Sequence, residues 1–283
     1  METPKIHRDK FVLENKEWIT PHMIRITLKG DVQPYKNCII GVNNKIFVPP
    51  MGQKKVHFSE TNPETGELIL PPEEVRPSLR TYTHRGIDVE NNHLIVDFVN
   101  HGDNGPASSW ALHAEIGDEL GVAMKLKDAP LNPQADWYFL IGDATALPVI
   151  SCILEALPKN AKGKVLLEIP TKEDEQLLVK PDGIDISWIY NEHPENGSEL
   201  VVLAKQIELP SIDSKFAYVA AEFAIVKELR EYFRKELEWS PSELYAYSYW
   251  KAGVAEDKST PERQEEKKVK TSSFKIKTLK FIK

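Results

Sequence analysis

The apolar positions of this chain change rhythm part-way along. From Met23 to Gly30 (MIRITLKG) apolar and polar residues alternate, the period of a strand with one buried face. Short runs of the same kind follow: KIFVPP at Lys45–Pro50, then ELILPP, RTYTHRGID and HLIVDFVNHG, punctuated by glycine, asparagine and proline clusters. Repeated short strands with such turns predict an antiparallel barrel or sandwich. A proline-containing polar stretch, KLKDAPLNPQAD (Lys125–Asp136), predicts a linker. Beyond it, WYFLIGDATALPVISCILEAL reads as a strand, a glycine turn and an apolar helix. Lys164–Pro170, Ile186–Tyr190 and Lys215–Glu222 read as further buried strands, the last followed by a helix, FAIVKELREYFRKEL. Strands alternating with helices predict a parallel α/β sheet. The expected organisation is a β-barrel domain over residues 1–130, an α/β domain over 131–255 and a tail over 256–283, with no internal repeat.

Composition narrows this reading. The 283 residues are 41% hydrophobic, enough for a real core, and the formal net charge of −7 excludes a general nucleic-acid binder, which needs a basic face. Cys38 and Cys152 lie far apart in apolar runs and read as buried thiols; two cysteines make neither a disulfide framework nor an all-cysteine metal centre. The polar start, METPKIHRDK, lacks a signal core, and the longest apolar run, Ala146–Leu154, contains a proline and is too short to span a bilayer. A soluble, cytoplasmic protein with no membrane insertion is expected. The tail from Lys267 to Lys283 holds seven lysines and no acidic residue. It reads as a solvated tail, a short edge strand, or a dock for an acidic redox partner or anionic substrate.

Three stretches carry candidate chemistry. In RTYTHR (Arg80–Arg85), read as a strand, Arg80, Tyr82 and His84 share one face, with Thr81, Thr83 and Arg85 on the other. An arginine that can grip a phosphate, a tyrosine that can lie along a flat ring and a threonine that can hydrogen-bond the ring's edge suit a flavin dinucleotide. The alternative is an ordinary strand with a surface ion pair. In VDFVNHGDNGPASSW (Val96–Trp110), Pro106 fits a first helical turn, and the amides of Ala107 and Ser108 with the serine hydroxyls can cradle a pyrophosphate. FLIGDATALP (Phe139–Pro148) places a turn where α/β sheets bind nucleotides, or else is a plain turn with Asp143 capping the helix.

Together these motifs resemble the siderophore-interacting protein family, FAD-dependent ferric-siderophore reductases of the ferredoxin–NADP reductase superfamily. Arg80, Tyr82 and Thr83 match its flavin signature; Gly105, Pro106, Ala107, Ser108 and Trp110 match its Gly-Pro-Ala-Ser/Thr-x-Trp segment. Gly142, Asp143, Thr145, Ala146, Leu147 and Pro148 match its nucleotide turn, and Tyr249, Trp250 and Gly253 its C-terminal motif, with Lys251 in place of arginine. The resemblance covers residues 6 to 255. Ala144 replaces a glutamate, Ala221 stands where glycine is common, and Asn43-Asn44-Lys45-Ile46 keeps the lysine of an early His-x-Lys-Leu strand but loses the histidine.

The resemblance implies an FAD-binding barrel followed by a nucleotide-binding α/β domain. It implies electron transfer through FAD, with no catalytic side chain and no bound metal, from NADH or NADPH, or from a ferredoxin, to a ferric-siderophore substrate. The implied cofactor contacts are Arg80, Tyr82, Thr83, Asp97, His101, Ala107, Ser108, Ser109, Asp143 and Thr145. The implied substrate contacts are Lys45, Lys125, Lys127 and Lys251. A monomer is expected. Glu173, Asp174 and Glu175 after the second parallel strand, with Glu168 within it to accept from a free 2′-hydroxyl, favour NADH over NADPH despite Lys172. A general NAD(P)H–flavin oxidoreductase and a non-catalytic ferric-siderophore carrier are the competing readings.

Overall fold

The protein is described here by a computed structural model covering residues 6–126 and 130–254. Its first half is built on β1 (Ile6–Thr20), β2 (Met23–Lys29), β3 (Asn43–Val48), a small hairpin of β4 (Glu60–Thr61) and β5 (Leu68–Ile69), β6 (Ser78–Thr83), β7 (Gly86–Asp88), β8 (His93–Val99), α1 (Pro106–His113) and β9 (Glu119–Lys125). Apart from the β4–β5 hairpin, these strands form one antiparallel sheet in the order β6-β3-β9-β1-β2-β8-β7. Alternation sets one apolar side chain of every two on the inner face. Phe11, Leu13, Ile24, Ile26, Leu28, Ile46, Val48, Leu94, Val96, Phe98, Leu120 and Val122 meet there in one core. Each such side chain contributes roughly 1.5–3 kcal/mol by leaving water.

The expected barrel is open. β6 and β7 are the two edges of the sheet, which curls until Tyr82 of β6 packs on Phe98 of β8 with ring centres 4.5 Å apart. α1 stands against this seam, Trp110 stacking on Phe98 at 5.9 Å.

The second half contains β10 (Trp137–Asp143), α2 (Leu147–Ala156), β11 (Lys162–Ile169), β12 (Gly183–Tyr190), α3 (Leu200–Gln206), β13 (Lys215–Glu222), α4 (Phe223–Glu231) and β14 (Leu244–Trp250). The five strands are parallel, in the order β12-β11-β10-β13-β14. β10, at the centre, is buried at every position, as a strand covered on both faces must be. α2 covers one face together with Met23 of the first half; α3 and α4 cover the other. Gly142 permits the close crossing of α2, since a Cβ there would lie 2.7 Å from both Ala146 Cβ and Ile150 Cδ1.

Two polar junctions tie the halves together. Asp174 accepts from the His22 amide at 2.9 Å and faces His22 Nδ1 at 2.8 Å. Arg85 reaches from the end of β6 to Glu155 of α2, Nη2 to Oε1 at 2.6 Å. Sequence periodicity did not mark β1, whose buried face is masked by charged residues, or α3, a short helix. It also passed over β14, although Tyr245, Tyr247 and Tyr249 recur at the period of a strand.

Candidate functional site

The first motif folds as a strand only as far as Thr83. Tyr82 is half-buried and held by Phe98; Thr83 is buried, opposite Asn43 of β3. Beyond it the chain turns, and the expected alternation breaks. His84 is fully buried, and burial pushes its pKa down to about 4, so it stays neutral and supplies no charge for an anion. Arg85 leaves the motif's surface for Glu155 and Asp97. Arg80 remains on the face of Tyr82, one Nη1–H donating to the Leu79 carbonyl at 2.7 Å.

The second motif turns at His101–Gly105 and enters α1 with Pro106 at its first position, which has no N–H to leave unpaired. The amides of Ala107 and Ser108 have no carbonyl within the helix to bond. The two serine hydroxyls are committed elsewhere. Ser108 Oγ donates to the Gly102 carbonyl at 2.7 Å and accepts from the His101 amide at 3.1 Å. Ser109 hydrogen-bonds Asp103 and helps hold that carboxyl below its usual range, after the larger effect of His113. They shape the loop at the start of α1. His101 is exposed beside this turn.

Asp97 is paired within the protein. It lies opposite Arg25 across the β2–β8 ladder, and the pair is bidentate at 2.7 and 2.8 Å. Arg85 Nε stands 3.5 Å from the second Asp97 oxygen. The result is a chain of alternating charges, Arg25–Asp97–Arg85–Glu155, crossing from the first half to the second.

In the nucleotide turn, Asp143 also points inward. One carboxylate oxygen accepts from the Thr145 amide and hydroxyl at 2.9 and 2.5 Å, the other from Trp250 Nε1 at 2.7 Å. Burial raises its pKa, against the pull of these donors. Asp143 therefore ties the turn to the end of β14. It does not cap α2, whose N-cap is Ala146. Glu168 of β11 is its register partner, buried, accepting from Ser198 Oγ at 2.5 Å, with its pKa raised by burial. Of the other acids expected beside a ribose, Asp174 is turned to His22 and Glu175 accepts from the Tyr190 hydroxyl.

An aromatic cluster escaped the sequence reading. Tyr218 of β13 stacks on Tyr245 at 4.5 Å, and its hydroxyl meets that of Tyr249 at 3.1 Å. Burial pushes the Tyr245 phenol up to about 12 and those of Tyr218 and Tyr249 well above the usual range.

Among the candidate substrate lysines, Lys45 and Lys125 share the outward face of the half-barrel. Lys45 lies opposite Ala123 of β9, and Lys125 is two residues further along that strand, which makes the lysines diagonal neighbours about 7–8 Å apart. Lys45 Nζ donates to Thr81 Oγ1. Lys251 belongs to the second half, its Nζ 4.7 Å from the Phe223 ring centre. Lys127 and the lysine-rich tail lie outside the described residues.

The residues present fit FAD. Tyr82, backed by Phe98 and through it by Trp110 of α1, would offer a flat platform, Arg80 shares its face of β6, and the first-turn amides of α1 would suit a pyrophosphate. The buried Trp110 Nε1 has no acceptor among the described residues. This pairing of an antiparallel flavin-type half-barrel with a parallel nucleotide-type sheet defines a ferredoxin reductase-like flavoprotein.

Comparison with known proteins narrows the class. Residues 12–124 match the siderophore-interacting FAD-binding domain and residues 135–253 the siderophore-interacting protein domain. The chain belongs to the siderophore-interacting protein family. It is 32% identical over 250 residues to the ferric vibriobactin reductase ViuB of Vibrio cholerae, covering 88% of this chain and 91% of that protein. It is 29% identical over 213 residues to the NADPH-dependent ferric-chelate reductase of Escherichia coli, covering 74% and 79%. The solved siderophore-interacting protein SipS of Aeromonas hydrophila superposes with a TM-score of 0.77 at 29% identity, over 91% of this chain and 97% of that one. No helix among the described residues is long and apolar enough to cross a membrane.

Proposed function

We propose that the chain is an FAD-dependent ferric-siderophore reductase, working in the cytoplasm to release ferrous iron. The observation that carries this reading is one end of the half-barrel. There Arg80, Tyr82 and Thr83 of β6 are linked to α1 through the Tyr82–Phe98–Trp110 stack, and Lys45 and Lys125 lie on the outward face of the same sheet. Bound FAD supplies the conversion of a two-electron donor's hydride into single electrons for ferric iron. The protein's own groups bind and orient. Tyr82 would pack against the flavin ring, Thr83 would offer it a hydrogen bond, and Arg80 with the amides of Ala107 and Ser108 would neutralise the pyrophosphate. Lys45 and Lys125, with Lys251 from the other half, draw in an anionic iron complex. Reduction itself releases the metal, because hard oxygen ligands hold ferric iron far better than ferrous.

For the donor, the buried Glu168 at the end of β11 supports NADH. A carboxylate there would accept from a free ribose 2′-hydroxyl and repel a 2′-phosphate. The decisive experiment is anaerobic. The FAD-loaded protein is reduced in parallel by NADH, NADPH and reduced ferredoxin, then mixed with a ferric-siderophore while a ferrous chelator reports iron. The expected result is fastest reduction by NADH and reoxidation of the flavin in proportion to ferrous iron formed. Reduced flavin left unchanged by the ferric complex overturns the reductase reading; faster reduction by NADPH or ferredoxin overturns the donor assignment.

A further inference from the structure

A second concavity opens on the outward face of the half-barrel, away from the α1 seam. The register places Arg8 of β1 and Lys45 of β3 on either side of Ala123 of β9, and, one outward rung on, Lys10 and Phe47 on either side of Gly121. Alanine and glycine leave the middle strand almost bare. Phe58 lies in that trough, and a Cβ on Gly121 would come within 2.6 Å of its ring, so only glycine admits it. Phe47 meets Phe58 edge-on at 4.9 Å. The Arg8 guanidinium sits 4.4 Å from the Phe58 ring centre and donates to the Ser59 carbonyl at 3.1 Å; Lys10 Nζ is 5.9 Å from the same ring. The far wall is the β5 side of the small hairpin and the prolines after it, where Ile69 and Leu70 are 52% and 53% exposed. Arg8, Lys10 and Phe58 on one side and the hairpin and prolines on the other line an open cleft of about 610 Å³ that also takes in His57 and one carboxylate, Glu60.

The cleft joins two kinds of surface. Arg8 is pre-positioned by its ring contact and its backbone hydrogen bond, and it loses little freedom on gripping an anion. The ring and aliphatic walls favour a flat apolar body. A bare phosphate has no use for those walls, and a neutral hydrocarbon none for the cations. The complementary ligand is an anionic aromatic group such as a catecholate. Arg8 is two strand spacings, about 10 Å, from Lys45 on the same rung, so one large ligand can touch both.

We propose that this cleft is an auxiliary subsite that grips an anionic aromatic arm of a ferric-siderophore whose iron-bearing head lies at Lys45 and Lys125. The proposal rests on the ferric-siderophore reading of the site. The subsite raises affinity for aromatic, catecholate-bearing complexes over small non-aromatic chelates and leaves electron transfer untouched.

The test uses the full FAD-loaded chain and redox-inert gallium(III) complexes, one of a tris-catecholate siderophore and one of citrate, with dissociation constants read by calorimetry. In the variant carrying Arg8→Glu and Lys10→Glu, catecholate binding should weaken roughly tenfold or more, the scale of losing two charge-assisted contacts, while citrate binding changes less than about twofold. The milder Arg8→Gln and Phe58→Leu variants should each weaken catecholate binding alone, and with the ferric catecholate all variants should raise KM at unchanged kcat. Unchanged catecholate affinity in the double variant overturns the subsite, as does an equal loss for both complexes or a wild-type protein that binds neither. Selective loss of gallium catecholate binding in a protein whose reduced flavin ignores the ferric complex keeps the subsite and overturns the reductase reading. Reoxidation with unaltered affinities does the reverse.

Discussion

Replacing Asp97 by alanine tests whether the charge chain Arg25–Asp97–Arg85–Glu155 is structural or belongs to the cofactor site. The Asp97 side chain is 4% exposed and faces Arg25 through two hydrogen bonds and Arg85 at 3.5 Å. Truncation leaves Arg25 without its bidentate partner in a half-buried position. Removing one member of a buried pair costs about 3–5 kcal/mol. The arginine side chains here are 27% and 18% exposed, and Arg85 keeps Glu155, so water and the remaining acid offset part of that cost. The expected loss is about 2–3 kcal/mol. For a protein of this size that lowers the melting temperature by roughly 4–12 °C. The assay is a thermal melt of the FAD-free protein, paired with titration of FAD into the folded variant. Both Asp97 oxygens are already occupied, so FAD affinity should change less than about threefold. A variant that melts like the wild type but binds FAD ten times more weakly refutes the structural assignment and returns Asp97 to the cofactor site.

Two further expectations follow from buried groups. Burial pushes the Asp174 carboxyl up, but hydrogen bonds from His22, Thr171 and Thr20 outweigh it and hold the folded value below the ordinary 3.8. As pH falls past that value the unfolded chain takes up the proton first, so the stability from this junction is present above it and drains away below it. Asp174→Asn should therefore be less stable than wild type at neutral pH, with the gap closing as pH falls toward and below about 4 in a series of melts; a gap independent of pH contradicts the pairing. Cys152 is buried and its thiol pushed up to about 12, chiefly by burial, so it should resist iodoacetamide at mildly alkaline pH until denaturant is added. Rapid native-state labelling of Cys152 in a mass spectrum runs against this.

Local pattern was sufficient for the order of the architecture. Alternation in MIRITLKG and HLIVDFVNHG, and continuous apolar runs such as WYFLI and KVLLEI, reflect one-sided and two-sided burial, which the chain encodes residue by residue. The motifs likewise located the two loops that come together at the seam, because turn and helix-start chemistry is local. Direction and partnership were not local. RTYTHR as a strand would send His84 along with Tyr82 toward a ligand and leave Arg85 at the surface. The tertiary fold ends the strand at Thr83, seals His84 in the protein and spends Arg85 on Glu155, seventy positions away. Asp97, Asp143, Ser108 and Ser109 have the chemistry of ligand contacts, yet the fold surrounds them with donors and acceptors of their own. The outward cleft was wholly a product of register, since nothing in the spacing of Arg8, Phe58 and Gly121 announces that strands β1, β3 and β9 lie side by side. A sequence records what each side chain can do and which face it prefers. Which of those capacities is spent inside the protein, and which is left for a ligand, is decided by residues distant in sequence that folding brings within hydrogen-bond reach.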